Sequence, residues 1–318
     1  MTASSAAAPR ARRAGRSGRR RAWVRGTLFS LPFLVGFVVL IAYPVLASAR
    51  YSFTDFNLFQ SPTWVGLQNY RDLFADSSFL KALVNTLLLT VVGVPLTIAL
   101  ALAGAWILNL PVRGQPVYRA LVYLPTIVPA VVGGYLWRWL LNTEYGYIDY
   151  VLGLLHLPQP AWLTEPAWGK PAIILMSLWT VGGTTLIYLA ALKDVPEELY
   201  EAAALDGAGP WRRFWAITWP SITPVTLFQV IVTIIAFLQI FNQPYLLTQT
   251  ASAGSAGQAA GGPGQSMLTY GVYIFDTAFR HLRMGYASAM AWILFLITLA
   301  VTAVLLLTSK KWVHDGDK

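Results

Sequence analysis

The chain alternates long uncharged apolar stretches with short polar ones. Thr27–Ala49 runs 23 residues without a charge, and Ala82–Leu110, Pro171–Leu192, Ile222–Leu247 and Gly285–Ser309 are equally free of Asp, Glu, Lys and Arg. Ala120–Trp137 is the shortest at 18 residues and ends against Arg138. At about 1.5 Å of rise per residue, such stretches are long enough to cross a hydrocarbon core of ~30 Å. The pattern predicts an all-α, polytopic membrane protein with six transmembrane helices. Prolines 95, 125, 129, 224 and 244 fall inside these spans. In a bundle, neighbouring helices and hydroxyls satisfy the carbonyls that proline frees, so kinks are expected rather than breaks.

Composition agrees with the pattern. Of 318 residues, 56% are apolar without counting glycine and 12% are charged, where soluble domains carry about 25% charge. Cysteine is absent, so disulfides, thiolate metal sites and a cysteine nucleophile are excluded. His156, His281 and His314 are far apart in sequence, and no metal and no cofactor is expected.

The net charge of +9 is concentrated. Eight arginines lie between Arg10 and Arg25. A basic arm suits nucleic acid or the cytoplasmic side of a membrane, and the uncharged stretch that follows it favours the membrane. Ala47-Ser48-Ala49 resembles a signal cleavage site, but the apolar stretch is longer than a signal peptide's, so a retained first helix is expected. Placing the N-terminus inside puts 16 of the 23 Lys and Arg on the cytoplasmic side, with both termini there. Tyr43, Trp64, Trp137, Trp139, Trp162 and Trp168 fall near expected outer boundaries, as an interfacial belt requires. The organisation expected is a basic cytoplasmic arm over residues 1–26, a six-span domain over 27–309 with an inner loop at 193–221, and a cytoplasmic tail over 310–318. The Gly/Ala/Ser-rich segment Ala251–Gly264 reads as a flexible outer loop.

The loop between spans four and five carries the most information. Pro196 suits a helix start, and Glu197 and Glu198 favour the positive end of its dipole. Gly207 can take the left-handed conformation that ends such a helix. Gly209-Pro210 starts a second short helix through Trp211 and Phe214 to Ile217, which Pro220 is expected to close. Lys193, Arg212 and Arg213 stand against Asp194, Glu197, Glu198, Glu201 and Asp206, a net of −2. An acidic, alanine-faced helix suits a groove on a soluble partner. The alternative is an amphipathic helix resting on lipid, but anionic inner leaflets prefer Lys and Arg.

Glu201-Ala202-Ala203, then Gly207, then Ile217 and Trp219-Pro220, resembles the EAA motif of bacterial ABC-importer permeases. Asp206 and Ala208 match the DGA element of the carbohydrate-uptake branch. Trp219 stands where the family usually has leucine, and Asn242 where aspartate is frequent. Trp64-Val65-Gly66-Leu67-Gln68-Asn69-Tyr70, Leu124-Pro125 through Trp137, and Phe241-Asn242-Gln243 through Thr248 are similar to other segments of that family, so the likeness covers about residues 27–310. The resemblance implies half of a translocation channel, paired with a second homologous permease subunit. It implies two cytoplasmic ATPase subunits gripping Glu201, Ala202, Ala203, Asp206, Gly207, Ala208, Ile217 and Pro220. It also implies an extracytoplasmic solute-binding protein that delivers a sugar or oligosaccharide, with a polyol or glycerol-phosphodiester as the alternative within the family.

Several absences narrow the function. No G-x-x-x-x-G-K-[ST] phosphate loop is present, and neither G-x-S-x-G nor H-E-x-x-H occurs, so the chain is expected not to be an enzyme. The middles of the spans lack the carboxylates that ion-coupled carriers keep, which disfavours a secondary carrier. On a helical wheel Gln229, Thr233, Gln239 and Gln243 share roughly 120° of arc. With Asn242 they are the candidates for solute contact, because neutral amides suit a polyhydroxylated solute. Interhelical glue is the competing reading, and it applies equally to Asn85 and Thr86. Tyr135, Trp137 and Trp139 are candidates for stacking on sugar rings or for the belt.

Overall fold

The computed structural model describes residues 16–248 and 261–313. Residues 1–15 of the basic arm, the Ala/Gly-rich stretch over 249–260 and the tail beyond 313 lie outside the described residues. Four helices are long and apolar enough to cross a membrane unaided: Gly26–Tyr51, Ser77–Asn109, Pro210–Thr248 and Met284–Ser309. These are spans one, two, five and six. Spans three and four are each a bent pair, Gln115–Ile127 with Ala130–Leu140 and Pro166–Trp179 with Gly182–Lys193. The count of six is reached when each pair is one span.

Span three departs from the expected single rod, because its halves meet at 97°. Val128 precedes Pro129, whose ring drives the residue before it out of the helical region, and Val128 sits at φ −66°, ψ 125°. Span four bends by 50°. Its second half starts at Gly182, where a Cβ would lie 2.1 Å from the Val122 carbonyl oxygen, so a bare backbone lets spans three and four touch.

Two prolines are absorbed without a break. One wide π turn, Val38–Ala42, precedes Pro44, and another, Phe214–Thr218, precedes Pro220. In each, the residue just before the proline donates its N–H five residues back, Tyr43 to Val38 and Trp219 to Phe214. The extra residue in the turn relieves the clash that a proline ring makes with the carbonyl four residues earlier. Pro220 therefore does not close a short helix, as expected from sequence. The helix begun at Pro210 runs through it into span five.

Spans two, four and five form the centre. Near the inner end Ala101, Ala105 and Leu108 pack with Tyr188, Leu192 and Ile222. Midway, Leu89 and Val94 pack with Trp137, Ile173 and Phe237. At the outer end Leu73 and Phe79 pack with Tyr270, Tyr286 and Met290. Span one stands apart, since none of its most apolar window is buried. The segment after it is a short hairpin, Thr54–Asp55 pairing antiparallel with Thr63–Trp64. Asn69 pins it by donating to the Ser52 and Thr54 carbonyls, both at 2.9 Å.

Candidate functional site

The inner loop folds as a helical hairpin. Its first arm, Glu197–Leu205, buries no residue. Gly207 adopts φ +73°, and its N–H donates to the Ala204 carbonyl at 3.0 Å while the Ala208 N–H donates to Ala203 at 2.9 Å. That is the paired-bond C-terminal cap which glycine makes possible. The Arg213 Nε then donates to the Ala208 carbonyl at 2.7 Å and closes the hairpin. Tyr200 and Thr218 share a hydroxyl hydrogen bond of 2.8 Å, fastening the first arm to the base of span five. Glu201, Ala202 and Asp206 face outward, whereas Ala203, Ala208 and Ile217 are half-buried. A Cβ on Gly207 would meet nothing within 4 Å, so this turn is open to a partner rather than packed on the bundle.

The expected solute-contacting residues come together. Gln229, Thr233, Gln239, Asn242 and Gln243 all line one cavity of about 380 Å³. Gln229 and Thr233 do so as the helical wheel predicts, from one unbroken helix. Gln239, Asn242 and Gln243 arrive differently, because span five unwinds at 239–241. Pro244 explains the break, since its missing N–H deprives the Ile240 carbonyl of a helical donor. The buried Thr269 hydroxyl donates to that carbonyl at 3.0 Å instead. The opposite wall adds Thr97 from span two and Ser177, Thr180 and Thr184 from span four. The sequence reading missed these four, although the spacing of Ser177, Thr180 and Thr184 along span four was a visible signal. No charged side chain lines the cavity.

Thr97 and Gln229 line the cavity, yet one polar atom of each is shut off from it and has no partner among the described residues. Gln229 is 3% exposed and Thr97 is 8% exposed, and neither Gln229 Nε2 nor Thr97 Oγ1 makes a hydrogen bond. Gln229 lies ten residues along the helix from Trp219, about 15 Å, which is half of a ~30 Å core. The cavity is therefore lined by neutral hydrogen-bonding side chains near the bilayer midplane.

Other polar residues are structural. Asn85 donates to the Gln265 and Leu268 carbonyls, both at 2.9 Å, and Thr86 accepts from the Tyr270 N–H at 2.8 Å. They bind span two to the chain leaving span five and do not face the cavity. Trp137 is buried edge-on against Trp179 at 6.0 Å, and buried Trp162 donates to Asp149 Oδ1 at 2.9 Å. These two belong to the core rather than to a belt, whereas Tyr135 and Trp139 are exposed. At the outer surface the Asp76 carboxylate caps span two through the Ser78 N–H at 2.9 Å and accepts the hydroxyls of Tyr273 and Tyr286. Burial alone would raise the Asp76 carboxyl, but these tyrosine and backbone hydrogen bonds outweigh it and hold it below the usual value.

A kinked helical bundle with a neutral polar cavity at its midplane and an open hairpin at its inner face defines a multi-pass membrane permease. Comparison with known proteins agrees: residues 93–313 match the model of the binding-protein-dependent transport system inner membrane component family, and the chain belongs to that family. Its members are permease subunits of the cell membrane rather than enzymes. Among relatives, the probable ABC transporter permease protein YesP of Bacillus subtilis is 36% identical, covering 92% of this chain and 93% of its own length. The sulfoquinovosyl glycerol transport system permease protein SmoG of Agrobacterium fabrum is 34% identical, over 88% of each chain. The diacetylchitobiose uptake system permease protein NgcF of Streptomyces coelicolor is 35% identical, over 94% of this chain and 87% of its own. A bacterial alginate ABC transporter, solved with its alginate pentasaccharide-bound periplasmic protein, shares the fold with a TM-score of 0.77. It is 22% identical and is matched over 93% of this chain and 96% of its own.

Proposed function

We propose that this chain forms half of the translocation pathway of an ABC importer for a sugar or oligosaccharide. A second homologous permease supplies the other half, two cytoplasmic ATPase subunits drive it, and an extracytoplasmic binding protein delivers the solute. The observation that carries the reading is a midplane cavity lined by neutral amides and hydroxyls and by no charged side chain. Such a lining suits a neutral solute rich in hydroxyls, whereas an isolated charge would find no ionic partner there. The names of the relatives, which handle a sugar glycoside and a chitobiose derivative, point the same way. The sequence has no phosphate loop, so nucleotide hydrolysis falls to the partner subunits.

The mechanical route is short. The open hairpin around Glu201–Gly207 is the part an ATPase would hold, and its second arm is continuous with span five. From Pro210 to Leu238 there is one helical rod of about 43 Å, bearing Gln229 and Thr233 and ending at the break that presents Gln239. Movement of the hairpin is delivered along this rod to the cavity wall, which is how closure of a soluble motor would rearrange the pathway. The test is uptake by proteoliposomes containing the assembled importer. Gln229→Leu should lower sugar uptake about tenfold, the worth of one buried hydrogen bond to the solute. Uptake that persists with the ATPase subunits inactivated, driven by an ion gradient, would replace the proposal with a secondary carrier.

A further inference from the structure

The outer half of span three, Ala130–Leu140, carries two glycines in succession, Gly133 and Gly134. Glycine is a poor helix former, so its place in a helix interior needs a packing reason. Only the second has one. A Cβ on Gly133 would come no closer than 3.4 Å to its nearest neighbour, Trp179, which is ordinary contact. A Cβ on Gly134 would overlap the Leu246 side chain, standing 2.7 Å from that residue's own Cβ. Two helix backbones therefore meet at Gly134 with no side chain of span three between them.

Leu246 belongs to the short helix Asn242–Thr248, which also supplies Asn242 and Gln243 to the cavity wall. That helix is cut from the rest of span five by the unwound residues 239–241. Its place is set instead by what it lies on. Leu246 rests on Gly134, and the next residue, Leu247, is buried in a core with Trp137, Ile173 and Met176. Tyr245 meets Phe275 ring to ring at 5.1 Å, a looser contact than one made at the backbone. The rod of span five, by contrast, brings Gln229, Val232 and Thr233 to the same cavity.

We infer that Gly134 is a positioning residue of the pathway: it seats Leu246, so that Asn242 and Gln243 are carried by the outer half of span three and not by the rod. This rests on the cavity being the route of the solute, and it says how the wall is divided. The amides of the wall ride on two bodies that meet at 239–241. Movement of the rod changes the spacing between Gln229 and Gln243 instead of shifting both together. The fit of the cavity to a solute therefore varies with the position of the rod.

The experiment uses the assembled importer in nanodiscs. The chain contains no cysteine, so Asn242→Cys and Val232→Cys each place one thiol at an exposed position of the cavity wall, one on either body. Their rates of reaction with the neutral reagent hydroxyethyl methanethiosulfonate are read from the mass of this chain. Adding Gly134→Ala should change the Asn242→Cys rate by about fivefold or more, because overpacking a close contact displaces backbone. The Val232→Cys rate should stay within about twofold, as expected of a site that shares no contact with the change. Gly133→Ala should alter neither. Leu246→Ala removes the seated side chain itself and should also move only the Asn242→Cys rate, which keeps the test decisive if Gly134→Ala lowers folded yield. An Asn242→Cys rate unchanged in both variants, or equal changes at the two positions, would overturn the positioning role. A parent in which neither thiol reacts would instead remove the cavity as a route for solute.

Discussion

Polar residues within the spans differ in their hydrogen-bond partners. Asn85 and Thr86 are polar residues in an apolar span, as Gln229 is, yet their bonds are spent on the backbone of residues 265–270. Gln229 Nε2 has no such bond. Sequence alone could not separate them, because a helical wheel reports the face of a residue and not what stands opposite it. Asp76 illustrates a third case, a carboxylate joining the starts of spans two and six. Asp76→Asn should lower stability by about 1–2 kcal/mol, since the amide cannot accept both tyrosine hydroxyls and the backbone cap as well. Its folded pKa is depressed. The stabilisation is therefore present above the unfolded carboxylate value of about 3.9 and is lost as pH falls through the lower folded value. Thermal melts of the purified protein from pH 7 to pH 3 should show an acid-dependent fall that Asp76→Asn lacks.

At the scale of elements, prolines set the shape. Pro129 turns span three, Pro244 unwinds span five beside the cavity, and Pro220 is accommodated by a wide turn so that a rod survives. The prolines were legible, but which of these outcomes each would produce was not. Part of the outcome lies in what answers the freed carbonyl: the distant Thr269 hydroxyl answers Ile240, which Pro244 leaves without a donor, and the neighbouring Thr223 hydroxyl answers Pro220, which Pro224 leaves without one, at 2.7 Å. Glycines divide in the same way. Gly182→Ala should reduce folded yield and melting temperature, because the new methyl group meets a backbone carbonyl at 2.1 Å and neither helix can yield cheaply. Gly207→Asp has open space around it but must hold φ +73°, which side chains rarely adopt, so insertion should proceed while the exposed turn is disturbed and uptake is abolished. Equal membrane levels of the two variants, or undiminished uptake in Gly207→Asp, would count against this division.

The whole molecule leaves much apolar surface uncovered. Span one has no packed window, and the spans carry apolar side chains outward on several sides, as expected of a chain surrounded by lipid and by a second permease. Its orientation rests on charge, with 16 of 23 basic residues in the segments assigned to the cytoplasm. Glu201→Cys should consequently react with an impermeant maleimide only from the cytoplasmic side, and a cysteine at Asn57, in the loop of the short hairpin, only from the outer side. Reversed labelling of the pair would invert the topology and remove the hairpin from the reach of any cytoplasmic motor.

What the sequence determined by itself was everything carried by continuous pattern. Charge-free length marked the spans and local turn chemistry at Gly207 marked the hairpin, because each depends on neighbours along the chain, and the asymmetry of Lys and Arg sets the orientation that labelling would test. The tertiary structure alone decided that Thr97, Ser177, Thr180 and Thr184 face Gln229, that Asn85 and Thr86 do not, and that Trp137 is core. Those facts depend on how bent helices meet: prolines mark where bends can fall, but the groups that answer them, such as the Thr269 hydroxyl on Ile240, come from far along the chain, where no local pattern reveals them.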